Sequence, residues 1–230
     1  MSISAQLGAV RQAIASAALQ AGRDPASVSL LAVSKTFGPE AVIAAAEAGQ
    51  QAFGENYLQE ALDKIEAVKR LRPDLALQWH FIGPLQSNKT RPVAENFDWV
   101  HSVDRLKIAQ RLSDQRPTAL GPLNICLQVN VSGEPTKSGV AAADVPALAE
   151  KLAGLPNIRL RGLMAIPEPT EDAEEQRKPF ALLRALQQQL REVGIDTDTL
   201  SMGMSADLQA AIAEGATIVR IGTAIFGKRD

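Results

Sequence analysis

The stretch VSLLAVSKTFGPEAVIAAAEAGQQAFG, residues 28–54, carries the pattern that decides the fold. It opens with a short apolar run, Val28–Lys35, crosses a loop with Gly and Pro, and continues in an alanine-rich segment of helical period, Pro39–Ala48. A second apolar run, Gln51–Gly54, follows. This order predicts a strand, a helix and a strand. The two strands are expected to be parallel, because parallel neighbours need a crossover connection and the helix supplies it.

The same order recurs along the rest of the chain. The predicted strands are Val28–Lys35, Gln51–Gly54, Leu77–Ile82, Trp99–Ser102, Leu123–Val131, Arg159–Ile166, Thr199–Met202 and Thr217–Ile221. The predicted helices are Ile3–Ala21 at the start and, between the strands, Pro39–Ala48, Tyr57–Leu71, Asn88–Asn96, Asp104–Gln115, Ala142–Leu152, Glu171–Val193 and Ala206–Glu214.

Eight strand and helix units in 230 residues predict an α/β fold, a single (β/α)8 TIM-type barrel with an extra N-terminal helix. Barrels of this type typically have ~250 residues. A doubly wound open sheet is the alternative. The loop after the first strand lacks the G-x-G-x-x-G pattern of that fold, which favours the barrel.

Composition narrows the class of protein. Lys and Arg total 24 against 26 Asp and Glu, a formal charge of −2, which removes the main electrostatic argument for a nucleic-acid partner. Cys126 is the only cysteine, so no internal disulfide forms and a reducing cytoplasm is the expected location. No signal peptide is recognisable, and no apolar run reaches the ~18 residues of a membrane span. Without a linker or charge block, residues 1–230 are expected to form one domain.

Polar residues that close the apolar runs are the candidates for function, because such barrels carry their chemistry at the C-terminal ends of the strands. Lys35 closes the first run, in phase with Leu31 and Val33. Asn56 follows the second strand, and Arg220 lies in the eighth. A lysine amine becomes nucleophilic, as a Schiff base requires, when desolvation or a neighbouring cation lowers its pKa. A lysine that extends into water from a strand end is the alternative.

The loops after the last two strands favour an anion site. LSMGMS, residues 200–205, leads into a helix with Ser205 as a candidate N-cap, and RIGTAIFG, residues 220–227, offers small residues and backbone N–H groups. Loops at this position of a barrel often bind phosphate. Two ordinary glycine turns are the alternative.

Other candidates give weaker signals. His80 and His101 are the only histidines, too few for a metal site without carboxylates, and each is interpreted as a hydrogen-bonded strand residue. Gln128 and Asn130 share a phase near the end of the fifth strand. No metal site is predicted.

Five blocks of the chain closely resemble the pyridoxal phosphate homeostasis proteins. They are LAVSKT (31–36), FGENY (53–57), WHFIGPLQSNK (79–89), LSMGMS (200–205) and VRIGTAIFG (219–227). They occur in the same order as in those proteins, and the resemblance covers essentially the whole chain. It implies a single-domain barrel related to the N-terminal domain of alanine racemase, which binds pyridoxal 5′-phosphate (PLP) as a Schiff base and takes part in intracellular vitamin B6 homeostasis.

Carried onto this sequence, the resemblance implies the cofactor-binding residues Lys35, Asn56, Ser201, Ser205, Arg220, Gly222 and Thr223. Lys35 would form the Schiff base, Asn56 would lie beside the ring, and Arg220 would face the pyridine nitrogen. The remaining four residues would bind the phosphate, with Ser205 in an assisting role.

Arg220 also bears on activity. A permanently charged guanidinium at the ring nitrogen disfavours its protonation, so the ring would be a weaker electron sink than one paired with Asp. In alanine racemase-like enzymes, a tyrosine from an extra C-terminal domain supplies the second base. Here the chain ends at Lys228-Arg229-Asp230, just past the last strand, and its only tyrosine is Tyr57. We therefore expect a PLP binder and carrier without catalytic turnover.

Two alternatives keep the barrel. One is a PLP-dependent amino-acid racemase or lyase, and the other is an enzyme whose Lys35 forms a transient Schiff base with another phosphorylated metabolite, as in aldolases. If Lys35 is not the reactive lysine, Lys89 and Lys137 are the next candidates, and either would be a candidate second PLP site. The expected partners are PLP and other B6 vitamers, with PLP-accepting apoenzymes as candidate recipients, and neither nucleic acid nor membrane. A monomer is expected, since no coiled-coil repeat is present.

Overall fold

The computed structural model describes residues 2–133 and 138–228. In this part of the chain the strands are β1 (Ser29–Val33), β2 (Ala52–Glu55), β3 (Gln78–Phe81), β4 (Trp99–Val103), β5 (Leu123–Asn130), β6 (Val140–Ala141), β7 (Ile158–Met164), β8 (Thr199–Ser201) and β9 (Ile218–Ile221). The α-helices are α1 (Ile3–Gln20), α2 (Pro39–Glu47), α3 (Leu58–Leu71), α4 (Thr90–Asn96), α5 (Leu106–Gln115), α6 (Val145–Ala153), α7 (Ala173–Glu192), α8 (Leu208–Ala213) and α9 (Thr223–Phe226).

Eight of the strands close into a parallel barrel. The order runs β4-β3-β2-β1-β9-β8-β7-β5, and β4 also pairs with β5, which joins the two ends of the sheet. Every pairing around this ring is parallel. The predicted (β/α)8 barrel is therefore confirmed, and the open-sheet alternative is wrong.

The core has one layer inside the barrel and another between barrel and helices. The interior cluster consists of Leu31, Val33, Ile82, Trp99, Cys126, Met164 and Ile218. Leu31 and Val33 thus share an inward face, as their phase predicts. A much larger apolar layer lies outside the strands and is covered by the helices.

The extra N-terminal helix, α1, is also confirmed. The Ser2 hydroxyl accepts a hydrogen bond from the N–H of Ala5 at 3.3 Å and caps the helix. The helix buries Leu7, Val10 and Ile14 on one face and contacts α8 and α9. Because α9 directly follows β9, α1 supports the last element of the barrel from outside.

Two short elements and one helix start differ from the sequence prediction. β6, which pairs with β5, and α9 are two and four residues long, too short to show a period in the sequence. Ser205 is not the N-cap of α8, which begins only at Leu208. The Asp207 carboxylate accepts a hydrogen bond from the N–H of Met204 at 2.6 Å, and this bond keeps the chain in a loop beyond Ser205.

Among the described residues, no helix is both long and apolar enough to cross a bilayer.

Candidate functional site

The C-terminal ends of β1 and β9 lie side by side at the mouth of the barrel. The two strands pair in register, with Ala32 opposite Ile221. A Cβ atom at Gly222 would lie 3.0 Å from the carbonyl oxygen of Val33, so only glycine allows this close approach without a shift. The loop with Lys35 therefore adjoins the loop that begins at Gly222. Lys35 is half-buried in a turn after β1, which ends at Val33, and Thr223 is exposed.

Arg220 lies inside the barrel, below these loops. It is 5% exposed, and its guanidinium donates hydrogen bonds of 2.8 Å to the Ser201 hydroxyl and 2.8 Å to the carbonyl oxygen of Ala165. Burial lowers the pKa of Arg220 to about 10, which leaves the side chain charged at neutral pH. Two fixed acceptors thus hold a buried cation in one orientation.

Two histidines extend this arrangement into a hydrogen-bonded chain. His101 Nδ1 lies 2.7 Å from Ser201 Oγ, and His101 Nε2 lies 2.9 Å from His80 Nδ1. Burial lowers the pKa of His80 to about 3 and that of His101 well below its ordinary value, so both rings are neutral at pH 7. The interpretation of both as hydrogen-bonded strand residues is confirmed.

One assignment of the protons satisfies every contact in this hydrogen-bonded series, starting from Arg220. Ser201 Oγ accepts from Arg220, so its own O–H is free to donate to His101 Nδ1. His101 then carries its proton on Nε2 and donates it to His80 Nδ1. In this assignment His80 is protonated on Nε2, an atom with no hydrogen-bond partner among residues 2–133 and 138–228.

A cleft of about 630 Å³ opens on the other side of the barrel mouth, near the ends of β2, β4, β5 and β7. Asn56, Ser102 and Gln128 line it. The buried Oδ1 of Asn56 and the buried hydroxyl of Ser102 have no partner within the described chain. Leaving such an atom unpaired costs ~1–3 kcal/mol, so a bound molecule that supplies the missing partners would bind favourably here.

Asn56 is held in place by its backbone. The N–H of Ile82 donates to the carbonyl oxygen of Glu55 at 2.9 Å, and a Cβ at Gly83 would lie 2.1 Å from the carbonyl oxygen of Asn56. The loop after β3 therefore packs directly against Asn56. Ser102 was missed by the sequence reasoning, although it closes the predicted strand Trp99–Ser102 and the strand-end rule applies to it.

The remaining candidates occupy different environments. Ser201 is fully buried and engaged with Arg220 and His101, whereas Ser205 lies exposed in the loop before α8. Lys89 is exposed at the end of a short 3-10 helix, and Lys137 lies outside the described residues. Asn130 Oδ1 accepts hydrogen bonds from the N–H and hydroxyl of Ser132 and from a further backbone N–H, which gives it a role in its own loop.

The fold and the polar mouth define a class, the (β/α)8 barrels that hold a small ligand at the C-terminal ends of their strands. The family model described as alanine racemase, N-terminal domain, matches residues 6–230. A protein of Pseudomonas aeruginosa named pyridoxal phosphate homeostasis protein is 63% identical over 228 residues, 99% of this chain and 96% of the relative. The relative of that name from Escherichia coli K12 is 52% identical over 233 residues, 99% of this chain and 97% of its own. The chain belongs to the alanine racemase N-terminal domain family and, within it, to the pyridoxal phosphate homeostasis proteins.

Two solved structures resemble the fold. PipY of Synechococcus elongatus, determined with PLP bound, is 38% identical with a TM-score of 0.84, over 98% of this chain and 100% of PipY. Alanine racemase from Corynebacterium glutamicum is 16% identical with a TM-score of 0.69, over 97% of this chain and 62% of the racemase. The second likeness concerns the fold alone.

Proposed function

We propose that this protein binds PLP at the C-terminal mouth of the barrel through Lys35 and takes part in vitamin B6 homeostasis, without catalytic turnover. The observation that carries the proposal is the close approach of the β1 and β9 ends, where Gly222 lies against Val33, two residues before Lys35. PipY, the relative solved with PLP bound, and the curated relatives named for PLP homeostasis support it.

The residues at the mouth fit the chemistry of PLP. When bound, PLP supplies an aldehyde that a lysine amine captures as a Schiff base, together with an electron-withdrawing ring and an anionic phosphate. The unpaired oxygen atoms of Asn56 and Ser102 can exchange hydrogen bonds with polar groups of the ligand. The exposed Ser205 and Thr223, with the first N–H groups of α9 that lack an acceptor within the helix, can bind phosphate oxygen atoms.

Ser201 enters the proposed site through Arg220. Its buried hydroxyl accepts from the guanidinium and, in the assignment above, donates its one proton to His101, so it would bind a phosphate oxygen only by giving up the bond to His101. We assign it to the orientation of Arg220, and Gly222, Thr223 and Ser205 to the phosphate.

Arg220 is the reason to propose a carrier. Because its guanidinium stays charged at neutral pH, it opposes protonation of a pyridine nitrogen placed against it. By opposing that protonation, Arg220 would leave bound PLP a weak electron sink, which would disfavour removal of a proton from a bound amino acid. Tyr57 is the only tyrosine and so the only candidate for a second, tyrosine base. It is 52% exposed and precedes α3. We therefore propose that the chain keeps PLP bound yet transferable to apoenzymes in the cytoplasm.

A PLP titration tests the binding proposal. Added PLP should produce a visible absorption band in the wild type, and Lys35→Ala should abolish it, because the variant lacks the amine that we propose binds the aldehyde. Lys89→Ala, which removes an exposed lysine, serves as the matched control and should retain the band. A full band in Lys35→Ala would contradict the assignment of Lys35.

A further inference from the structure

A buried ion-pair network lies directly beside the Lys35 turn. Lys64 on α3 is 3% exposed. Its ammonium donates hydrogen bonds of 2.8 Å to the carbonyl oxygen of Ser34, 2.7 Å to Glu55 Oε1 and 3.0 Å to Glu60 Oε1. An ammonium has three N–H donors, so every one of them is used.

The acceptors of this network hold the backbone on both sides of Lys35. The Ser34 carbonyl is part of the peptide bond between Ser34 and Lys35, and the Ser34 hydroxyl donates to Glu55 Oε1 at 2.6 Å. Glu60 Oε1 also accepts the N–H of Thr36, the residue after Lys35, at 2.6 Å. The network thus fixes the residue before Lys35 and the residue after it.

The turn needs such support. Thr36 has a φ of 69° and is the one non-glycine residue with a positive φ in residues 2–133 and 138–228. L-residues rarely adopt this conformation, and β-branched ones least of all. The Thr36 N–H is satisfied by Glu60 in this conformation, in a turn that follows the end of β1 at Val33.

The network is costly for a purely structural device. Removing a lysine and a glutamate from water carries a large desolvation cost, and well-packed apolar residues often replace such pairs without loss of stability. Burial raises the pKa of the Glu55 carboxyl, while the nearby Lys64 lowers it. Glu55 directly precedes Asn56, so the same network also anchors a second residue of the proposed site.

We propose that Lys64, Glu55 and Glu60 are positioning residues for Lys35, which hold its turn so that the amine meets the aldehyde of PLP. The proposal rests on the proposed function, because it assigns the network a role in cofactor capture. None of the three residues needs to contact PLP. Their effect passes through the two peptides that flank Lys35.

The test compares Lys64→Met and Glu60→Ala with matched controls on the exposed face of α3, Lys69→Met and Glu66→Ala. The first readout needs no PLP and is the hydrogen exchange rate of the Thr36 amide. It should rise about ten-fold or more in both variants and stay unchanged in the controls, because only the variants remove or release the acceptor of that amide. The conservative variant Glu60→Gln keeps a side-chain oxygen for Thr36 and should restore protection.

The second readout is PLP affinity and its pH profile. We expect both variants to bind PLP about ten-fold more weakly, equivalent to about 1.4 kcal/mol, with a shifted pH dependence, and Glu60→Gln to remain near the wild type. If Lys64→Met fails to fold, Glu60→Ala decides the question, since Glu60 is only partly buried.

The proposal would be overturned if the variants fold, and if their Thr36 amide exchange rate and their PLP affinity both equal those of the wild type. The network would then have a structural role only. The lysine that carries PLP in the wild type is identified first by peptide mapping. PLP found on a lysine other than Lys35 would overturn the proposed function itself. The two failures are therefore distinguishable.

Discussion

At the scale of single residues, the interior of this barrel is organised by one buried cation. Arg220 is joined by hydrogen bonds through Ser201 and His101 to His80, and burial keeps both imidazoles neutral. A neutral His101 adds no positive charge beside the guanidinium. Arg220 can therefore stay charged inside the barrel without repulsion from His101.

The buried, neutral His80 predicts a pH dependence of stability. The pKa of folded His80 is about 3 against an ordinary 6.5, so between these values the unfolded protein binds more protons than the folded one. The free energy of unfolding should therefore be highest above pH 6.5 and fall as the pH drops towards 3. For one such histidine the steepest slope is about 1.4 kcal/mol per pH unit.

Denaturant unfolding between pH 7 and 4 measures this slope in the wild type and in His80→Gln. The variant should be less stable at pH 7 and should show a shallower decline. The difference between the two proteins isolates the histidine from the buried Glu55, whose raised pKa acts in the opposite direction. Equal slopes would show that His80 is not held neutral in the folded state.

Single residues differ in how far sequence could predict them. Lys35 and Asn56 follow apolar runs and Arg220 lies within one, so the strand-end rule could select them as candidates from the sequence. Lys64 gives no such signal, because on α3 it reads as one more charge on an amphipathic helix. Its burial accompanies its hydrogen bonds to Ser34 and Glu55, at the ends of β1 and β2, which only the fold reveals.

At the scale of elements, the contact between the β1 and β9 ends governs the proposed site. Gly222 has a φ of −119°, which any residue can adopt, so its constraint is the space beside Val33 and not its backbone conformation. A methyl group there would require Val33 or Gly222 to shift by a few tenths of an ångström. Either shift would alter the spacing between the Lys35 turn and Thr223.

Gly222→Ala should weaken PLP binding and destabilise the fold by about 1 kcal/mol, the lower end of typical overpacking costs. Gly8→Ala is the matched control, since Gly8 lies within α1 and has no atom within 4 Å of its added Cβ. It should stabilise the protein by about 0.5–1 kcal/mol, as Ala does for Gly in a helix. Denaturant unfolding and PLP titration measure both, and full PLP affinity in Gly222→Ala would contradict the role of this contact.

The regular elements were predictable because each has a long, clear period, and all eight barrel strands and α1 lie within a few residues of their predicted bounds. The misses are short or depend on tertiary contacts. β6 exists through its pairing with β5, and α8 starts late because Asp207 bonds back to Met204. Neither the strand pairing nor the hydrogen bond produces a periodic pattern in the sequence.

At the scale of the whole molecule, closing the sheet brings the strand ends into one ring. The Lys35 turn and the loop that begins at Gly222 lie far apart in sequence, and they adjoin only because β9 returns to pair with β1. The interior polar chain then connects β3, β4, β8 and β9 across the barrel. The proposed binding mouth thus lies above a core that this hydrogen-bonded series crosses.

The proposed carrier role predicts weak chemistry at this mouth. With PLP bound, the protein should exchange the α-proton of alanine into deuterated water no faster than free PLP does, because Arg220 stays charged and Tyr57 is exposed. Proton NMR of the alanine methyl and α signals follows the exchange. Exchange well above the rate of free PLP would favour a racemase or lyase.

The most direct measurement is the identification of the lysine that carries PLP. Borohydride should fix the cofactor onto the wild-type chain, and mass spectrometry of the digested protein should find it on the peptide that contains Lys35. The result that would contradict the account is cofactor fixed on Lys89, Lys137 or any other amine, with the Lys35 peptide unmodified.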